Sequence, residues 1–146
     1  MTTTSNPDRL PSLVSVRLIT EDVAQLAAFY ELVTGTPVRW ATPDFAELPT
    51  PAGTLAIGST RTVALFGAGS AHAADNRSAI VEFLVDDVDV LHARLRDDIG
   101  SVGGVLVNEP TTMPWGNRSL LLRDPDLNLV NCFTPVTPEA IAKFSR

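Results

Sequence analysis

The chain has 146 residues, 45% of them apolar, a formal charge of −6 and a single cysteine. That length suits one domain with its own core, and the acidic balance, with no Lys/Arg cluster interleaved with aromatics, offers no surface to a nucleic-acid backbone. One cysteine excludes an intrachain disulfide, and no apolar run approaches the roughly 20 residues that cross a bilayer.

Residues 1–11, MTTTSNPDRLP, are polar and turn-rich with no cationic region leading into an apolar run. They read as a loosely ordered tail and not as a secretion signal, so residues 12–146 are expected to form one soluble domain in the cytoplasm. Next, Val14, Val16 and Leu18 alternate with Ser15, Arg17 and Ile19, the period-two pattern of a strand with two unlike faces. Asp22 then caps a helix with Gln25 three residues on, Leu26, Phe29, Tyr30 and Val33 form its apolar stripe, and Gly35 stops it. Weaker strand signals cover Val38–Thr42, and a clearer one starts at Gly53. The stretch AGSAHAADNRS reads as a linker.

Beyond it the pattern returns. SVRLITEDVAQLAAFYELVTG (Ser15 to Gly35) and IVEFLVDDVDVLHARLRDDIG (Ile80 to Gly100) register at a constant offset of 65 residues, with Asp87 in the place of Asp22 and Val88, Leu91, Leu95 and Ile99 as the second stripe. The same offset carried further lays Gly53–Phe66 onto Arg118–Asn131, Leu55 onto Leu120 and Ile57 onto Leu122, with Val105–Val107 as a weaker strand. Thr137 to Arg146 reads as a short helix with Pro138 at its first position and Ile141 and Phe144 on one side. The expected class is α+β: two βαβββ modules, residues 12–67 and 77–134, forming curved mixed sheets around a cleft, with a C-terminal helix over 137–146. One helix covers one face of each sheet, so the other face must be buried by the second half or by another chain.

Several motifs carry a family likeness. Asp22 followed by Phe29, Tyr30 and Gly35, then VDDVD (Val85 to Asp89), PWGNR (Pro114 to Arg118) and RDPDLN (Arg123 to Asn128) resemble the glyoxalase/bleomycin-resistance/extradiol-dioxygenase group, the vicinal oxygen chelate superfamily. The likeness covers nearly the whole chain after Pro11; Leu127 departs from it, standing where the family usually has a turn glycine. The resemblance implies a homodimer. It also implies, for metal-dependent members, histidine and glutamate ligands on the first and last strand of each half. Here those positions are Ser15 and Ile80, seven residues before Asp22 and Asp87, with Asn131 in NLVNC and, by the offset, Phe66. Neutral serine and asparagine beside isoleucine and phenylalanine do not make the imidazole and carboxylate set that a divalent ion takes. His72, in the linker, and His92, on the second helix away from the cleft, do not supply it. The sequence therefore leads us to expect no metal, no cofactor and none of the metal-dependent glyoxalase, dioxygenase or thiol-transferase activities.

Residues two apart on a strand share a face, so Arg17 joins Ser15, and Glu82 joins Ile80, in the expected cleft. Arg17 and Glu82 either pair with each other and fix how the halves dock, or orient a polar ligand. Trp115, in a loop flanked by Pro114 and Gly116, is a candidate at the cleft mouth; Arg118, alternating with Leu120 and Leu122, is a candidate ligand contact. Phe66, Trp40 and Phe45 offer flat apolar walls, although core packing is the preferred reading of Trp40 and Phe45. Cys132, in an apolar strand, reads as a buried inert thiol. No nucleophile elbow, phosphate loop or dinucleotide fingerprint occurs. The function expected is metal-independent binding of an apolar or aromatic natural product or drug. The alternatives are a metal-independent isomerase, cyclase or lyase of secondary metabolism, with Glu82 in acid–base work and Arg17 stabilising charge, and an interaction module with a vestigial pocket.

Overall fold

A computed structural model describes residues 6–145; residues 1–5 of the expected tail and Arg146 of the expected last helix lie outside the described residues. β1 (Ser15–Thr20) runs into α1 (Val23–Thr34), which starts where the Asp22 carboxylate accepts the Gln25 N–H and ends at Gly35 in the left-handed conformation, φ 66°. β2 (Arg39–Thr42), β3 (Phe45–Pro49) and β4 (Thr54–Ser59) complete a sheet in the order β1-β4-β3-β2, with β4 parallel to β1 and the other pairs antiparallel. Ser59 then caps a short helix, α2 (Thr60–Ala64), and the chain enters the linker.

The second module repeats this plan. β5 (Ile80–Leu84) leads to α3 (Val88–Leu95), where Asp87 accepts from the N–H groups of Asp89 and Val90. A single 3-10 turn, Ile99–Val102, precedes β6 (Val105–Leu106), β7 (Thr111–Thr112), β8 (Asn117–Arg123) and β9 (Leu129–Pro135). The sheet order is β5-β9-β8-β6, with β7 also on β8 and β5 parallel to β9. α4 (Pro138–Lys143) follows, capped by Thr137, with its Phe144 ring 5.0 Å from that of Phe133. Among the described residues no helix is long and apolar enough to cross a membrane.

The strand pairing corrects the repeat beyond the helices. Ser15 lies beside Thr54 in β4, and Ile80 lies beside Leu129 in β9, so β4 corresponds to β9 and β3 to β8. The offset of 65 therefore holds through the first strands and the helix starts only: α3 ends at Leu95, short of the expected stop at Gly100, which falls in the 3-10 turn, and the later strands lose the offset because the second module has a longer path from its helix to its last strand. The residue equivalent to Asn131 is Ala56, which pairs with Arg17 as Asn131 pairs with Glu82. Phe66 lies in the loop after α2 and not in a strand: STRT, which the offset of 65 lays onto DPDL and so expects as a turn, instead opens a helix, with Ser59 accepting from Arg61 N and Thr62 Oγ1 donating to the Ser59 carbonyl.

The modules meet through their helical sides. Phe29, Tyr30 and Val33 of α1 share one continuous core with Leu48 and Ile57 of the first module and Leu95, Leu120, Leu122 and Val130 of the second. Gly104 admits the Phe29 ring, since a Cβ there would stand 2.6 Å from Phe29 Cε2. Arg94 of α3 donates to the carbonyls of Leu32 and Val33 at the end of α1. The Tyr30 hydroxyl donates to Asp124 Oδ2 at 2.7 Å. Asp124 also accepts from the backbone N–H groups of Asp126 and Asn128 and from Asn128 Nδ2, while Asn128 Oδ1 accepts from Asn76 of the linker. Burial pushes the Asp124 carboxyl up against the opposing pull of these donors, and pushes the Tyr30 hydroxyl above its ordinary value. Leu127, where the resemblance has a turn glycine, takes the left-handed conformation, φ 66°, with its side chain in solvent.

Two outcomes follow from this packing. Tyr30→Phe keeps the ring and removes one donor from a buried carboxylate, so urea denaturation should show a loss of about 1.5–3 kcal/mol; an unchanged midpoint would remove the bond from the account of stability. Cys132 faces the core from β9, and burial pushes its thiol up to about 12. A chromogenic disulfide reagent at mildly alkaline pH should therefore leave the native protein unlabelled and react in denaturant.

Candidate functional site

Because the helical sides face each other, the opposite face of each sheet is left open over much of its length, with Thr62 of α2 against Gly58 at one end of the first and Phe144 against Phe133 at one end of the second. In β1, Leu18 and Thr20 are buried toward the core, and Ser15 and Arg17 are exposed on the other side. The register puts Thr54, Ala56 and Gly58 of β4 beside Ser15, Arg17 and Ile19, and then Pro49, Glu47 and Phe45 of β3 beyond them. Small residues along β4 thus floor a shallow trough between larger side chains. Arg17 crosses it: a Cβ at Gly58 would lie 3.4 Å from Arg17 Cδ and 2.7 Å from Thr62 Oγ1. Its guanidinium carbon stands over the Phe45 ring at 4.9 Å from the centroid and over the Phe66 ring at 5.1 Å. Phe66, 77% exposed, reaches it from the loop after α2.

On the open face of the second module, Ile80 and Glu82 of β5 lie beside Leu129 and Asn131 of β9, with Leu121 of β8 next to Asn131. Asn131 Nδ2 donates to Glu82 Oε2 at 2.8 Å, so this carboxylate is oriented by a neighbour within its own module. Arg17 and Glu82, expected together across the repeat axis, are not brought together within the chain: each is engaged inside its own module, and the hydrogen bonds and ring contacts between modules run through the helical sides and the linker.

Three other candidates are placed differently from expectation. Arg118 lies on the helical side of β8, where it forms a bidentate pair with Asp89 at the start of α3, Nε to Oδ2 at 2.8 Å and Nη2 to Oδ1 at 3.0 Å. Alternation with Leu120 and Leu122, both buried under α3, is what turns it away from the open face. Trp40, expected in the core, is 48% exposed on the edge strand β2, and Phe45, also expected there, carries Arg17. Trp115 is 67% exposed in the turn before β8, where Gly116 packs against Thr137 so closely that a Cβ would overlap its Oγ1. Sequence reading missed the floor residues Ala56 and Gly58, whose signal is the period-two run of small residues Thr54, Ala56 and Gly58 between Leu55 and Ile57.

The four strand positions read Ser15, Ala56, Ile80 and Asn131 once the pairing is corrected, and none offers imidazole or carboxylate. Among the described residues no group of three or more His, Cys, Asp and Glu is placed to hold a metal. Two concavities, of about 340 and 360 Å³, lie beside α2 and under α4, and neither is lined by Arg17 or Glu82.

The family model of the Glyoxalase/Bleomycin resistance protein/Dioxygenase superfamily matches residues 12–132. The chain belongs to this superfamily. Solved structures with the same fold include a glyoxalase/bleomycin resistance protein/dioxygenase family enzyme from Burkholderia phytofirmans, 20% identical over 86% of this chain and 100% of that one, with a TM-score of 0.72. A glyoxalase-related enzyme from Fulvimarina pelagi is 19% identical over 86% of this chain and 88% of that one, TM-score 0.71. A protein of unknown function from Agrobacterium tumefaciens is 17% identical over 89% and 98%, TM-score 0.71. Among curated proteins none matches the sequence. At these identities the likeness shows the fold. In this chain DPDLN and Tyr30 of α1 meet in the buried Asp124 cluster.

The Arg118–Asp89 pair gives a pH-dependent check. The hydrogen bonds from Arg118 hold the Asp89 carboxyl below its ordinary value of 3.8. A depressed carboxyl adds stability above that ordinary value and loses it as pH falls through the folded one. In Arg118→Gln, a carboxyl-carbon NMR titration should return Asp89 toward its ordinary value; an Asp89 titration identical to wild type would mean that the pair does not persist in solution.

Proposed function

We propose that this superfamily member is a cytoplasmic, metal-independent binding protein for a small organic molecule, held in a cleft that two copies close together as a homodimer. The observation that carries this reading is Arg17: an exposed guanidinium set over two aromatic rings on an uncovered sheet face, with no carboxylate partner among the described residues. An exposed sheet face that carries aromatic and apolar side chains is a surface a second chain can cover, and within one chain the two open faces are turned away from each other by the packing of the helical sides. A second copy brings the open face of one module against that of the other. The cleft so formed is walled by Arg17, Phe45 and Phe66 on one side and by Ile80, Glu82 and Asn131 on the other, with Ser15 beside Arg17 and Trp115 as an exposed aromatic outside the strands. Flat apolar surface with a few convergent polar groups suits an apolar or aromatic ligand. The strand positions that would hold a metal support metal independence, since they offer only a hydroxyl, a methyl, an alkyl chain and an amide.

A second reading rests on the Asn131–Glu82 bond of 2.8 Å. A carboxylate held in one orientation on a cleft wall is a positioned proton acceptor, and with Arg17 opposite to stabilise developing negative charge the same cleft would isomerise, cyclise or eliminate. Native mass spectrometry with metal analysis tests the shared part: a homodimer with no stoichiometric transition metal is expected, and a stable monomer or one metal per chain would overturn it. Glu82→Gln separates the two readings. A binder keeps its ligand affinity in this variant, whereas an enzyme using Glu82 as its base loses turnover by about 10²–10⁴-fold.

A further inference from the structure

We infer that the molecule bound on the open face of the first module is a carboxylate, and that Arg17 is the residue that holds its charged group. This rests on the cleft reading above and adds the chemical class of the ligand.

Arginine has five N–H donors, and those of Arg17 meet no protein acceptor among the described residues. Four arginines are spent on structure: Arg61 on Asp44 at 2.7 Å, Arg118 on Asp89, Arg94 on the carbonyls of Leu32 and Val33, and Arg123 on the carbonyl of Leu127. Arg9, Arg39, Arg77 and Arg96 also meet no side-chain acceptor among the described residues, but of the arginines only Arg17 stands over aromatic rings there. Arg17 is held in place by rings instead. Gly58 gives it the room to cross β4, and Phe45 and Phe66 keep its guanidinium above the trough. The nearest acid on the same face by register, Glu47, stands across Ala56, two strand spacings or roughly 10 Å away, and forms no ion pair with it. An ordered cation with unspent donors has already lost the side-chain freedom that binding would otherwise cost. Its planar fork matches the two oxygens of a carboxylate, and the adjoining rings accept the apolar body that carries it. Glu47 on the same face and a chain charge of −6 disfavour a dianion such as a phosphate, which would bring a second negative charge into an acidic surrounding.

The test uses the full chain and nitrogen–proton correlation NMR of the arginine Nε–H groups, with the Arg17 signal assigned by its disappearance in Arg17→Lys. Naphthoate and its neutral isostere naphthamide are the probes. Naphthoate should give a saturable downfield shift of the Arg17 Nε–H; naphthamide, and naphthoate with Arg17→Lys followed through backbone amides, should bind at least about tenfold more weakly, as expected for loss of a charge-assisted hydrogen bond. Equal affinity for the two probes, or backbone shifts along β5 and β9 with no change at Arg17, would overturn the carboxylate assignment and leave the cleft reading standing. No shift anywhere would overturn both. A shift of the Arg17 signal in Glu82→Gln without any probe would also overturn it, because Glu82 of a second copy would then be the carboxylate that Arg17 serves.

Discussion

Asp124 is a carboxylate 1% exposed between the two modules, and four hydrogen bonds from Tyr30, Asp126 and Asn128 converge on it. A buried charge is tolerated only when it is met in this way, and breaking one of its bonds costs more than making it gained. The cluster joins elements far apart in the sequence: the first helix gives Tyr30, the β8–β9 turn gives the acceptor, and through Asn128 the linker gives Asn76. Tyr30 also packs edge-on against Phe29, with ring centroids 4.9 Å apart, and near Phe83 at 6.1 Å, so its hydroxyl and its ring hold the same joint. A local turn and a tertiary contact are here one structure.

That joint decides where chemistry is possible. Two βαβββ modules have two kinds of face, and joining them by the helical ones commits the others to solvent or to another chain. Arg17, Phe45 and Glu82 lie on the open faces and Phe66 reaches them from a loop, while most of the core lies on the other side; Ala56 beneath Arg17 and Phe133 beneath Phe144 are buried residues on the open faces. Arg118 shows how strict the division is, since a one-residue step along β8 moves a side chain from one face to the other and turns a candidate ligand contact into the partner of Asp89.

Much of this was legible in the sequence. The period-two run from Val14 to Ile19, the caps at Asp22 and Asp87 and the stop at Gly35 located the first strand and the helix start of each module, because these signals are local, whereas Gly100 stops no helix: α3 ends at Leu95 and Gly100 lies within the 3-10 turn Ile99–Val102. Beyond the helices the offset misled, since ladder pairing is set by tertiary contact and the second module has a longer path to its last strand. Phe66 was named for a strand position and stands beside Arg17 by way of a helix and a loop. Trp40 was assigned to the core by its size, but a sheet edge left half of it in water. The trough was hidden because its defining residues, Ala56 and Gly58, are notable for what they lack, and only the register shows what crosses them. Which faces the two modules would share was not readable either, as both choices bury one sheet face equally well.

The Asp124 cluster and the open faces draw on separate sets of residues, and this separation bears on how such a protein changes over time. Ser15, Ile80 and Asn131 contribute little to the buried core, so imidazole or carboxylate side chains at those strand positions would leave the joint between the modules intact. Stability is lodged in one layer, and on the proposed reading selectivity would lie in another. A lineage built on this plan is free to gain or lose a metal, or to trade one ligand for another, by exchanging surface side chains while the same tyrosine and aspartate go on holding the modules together.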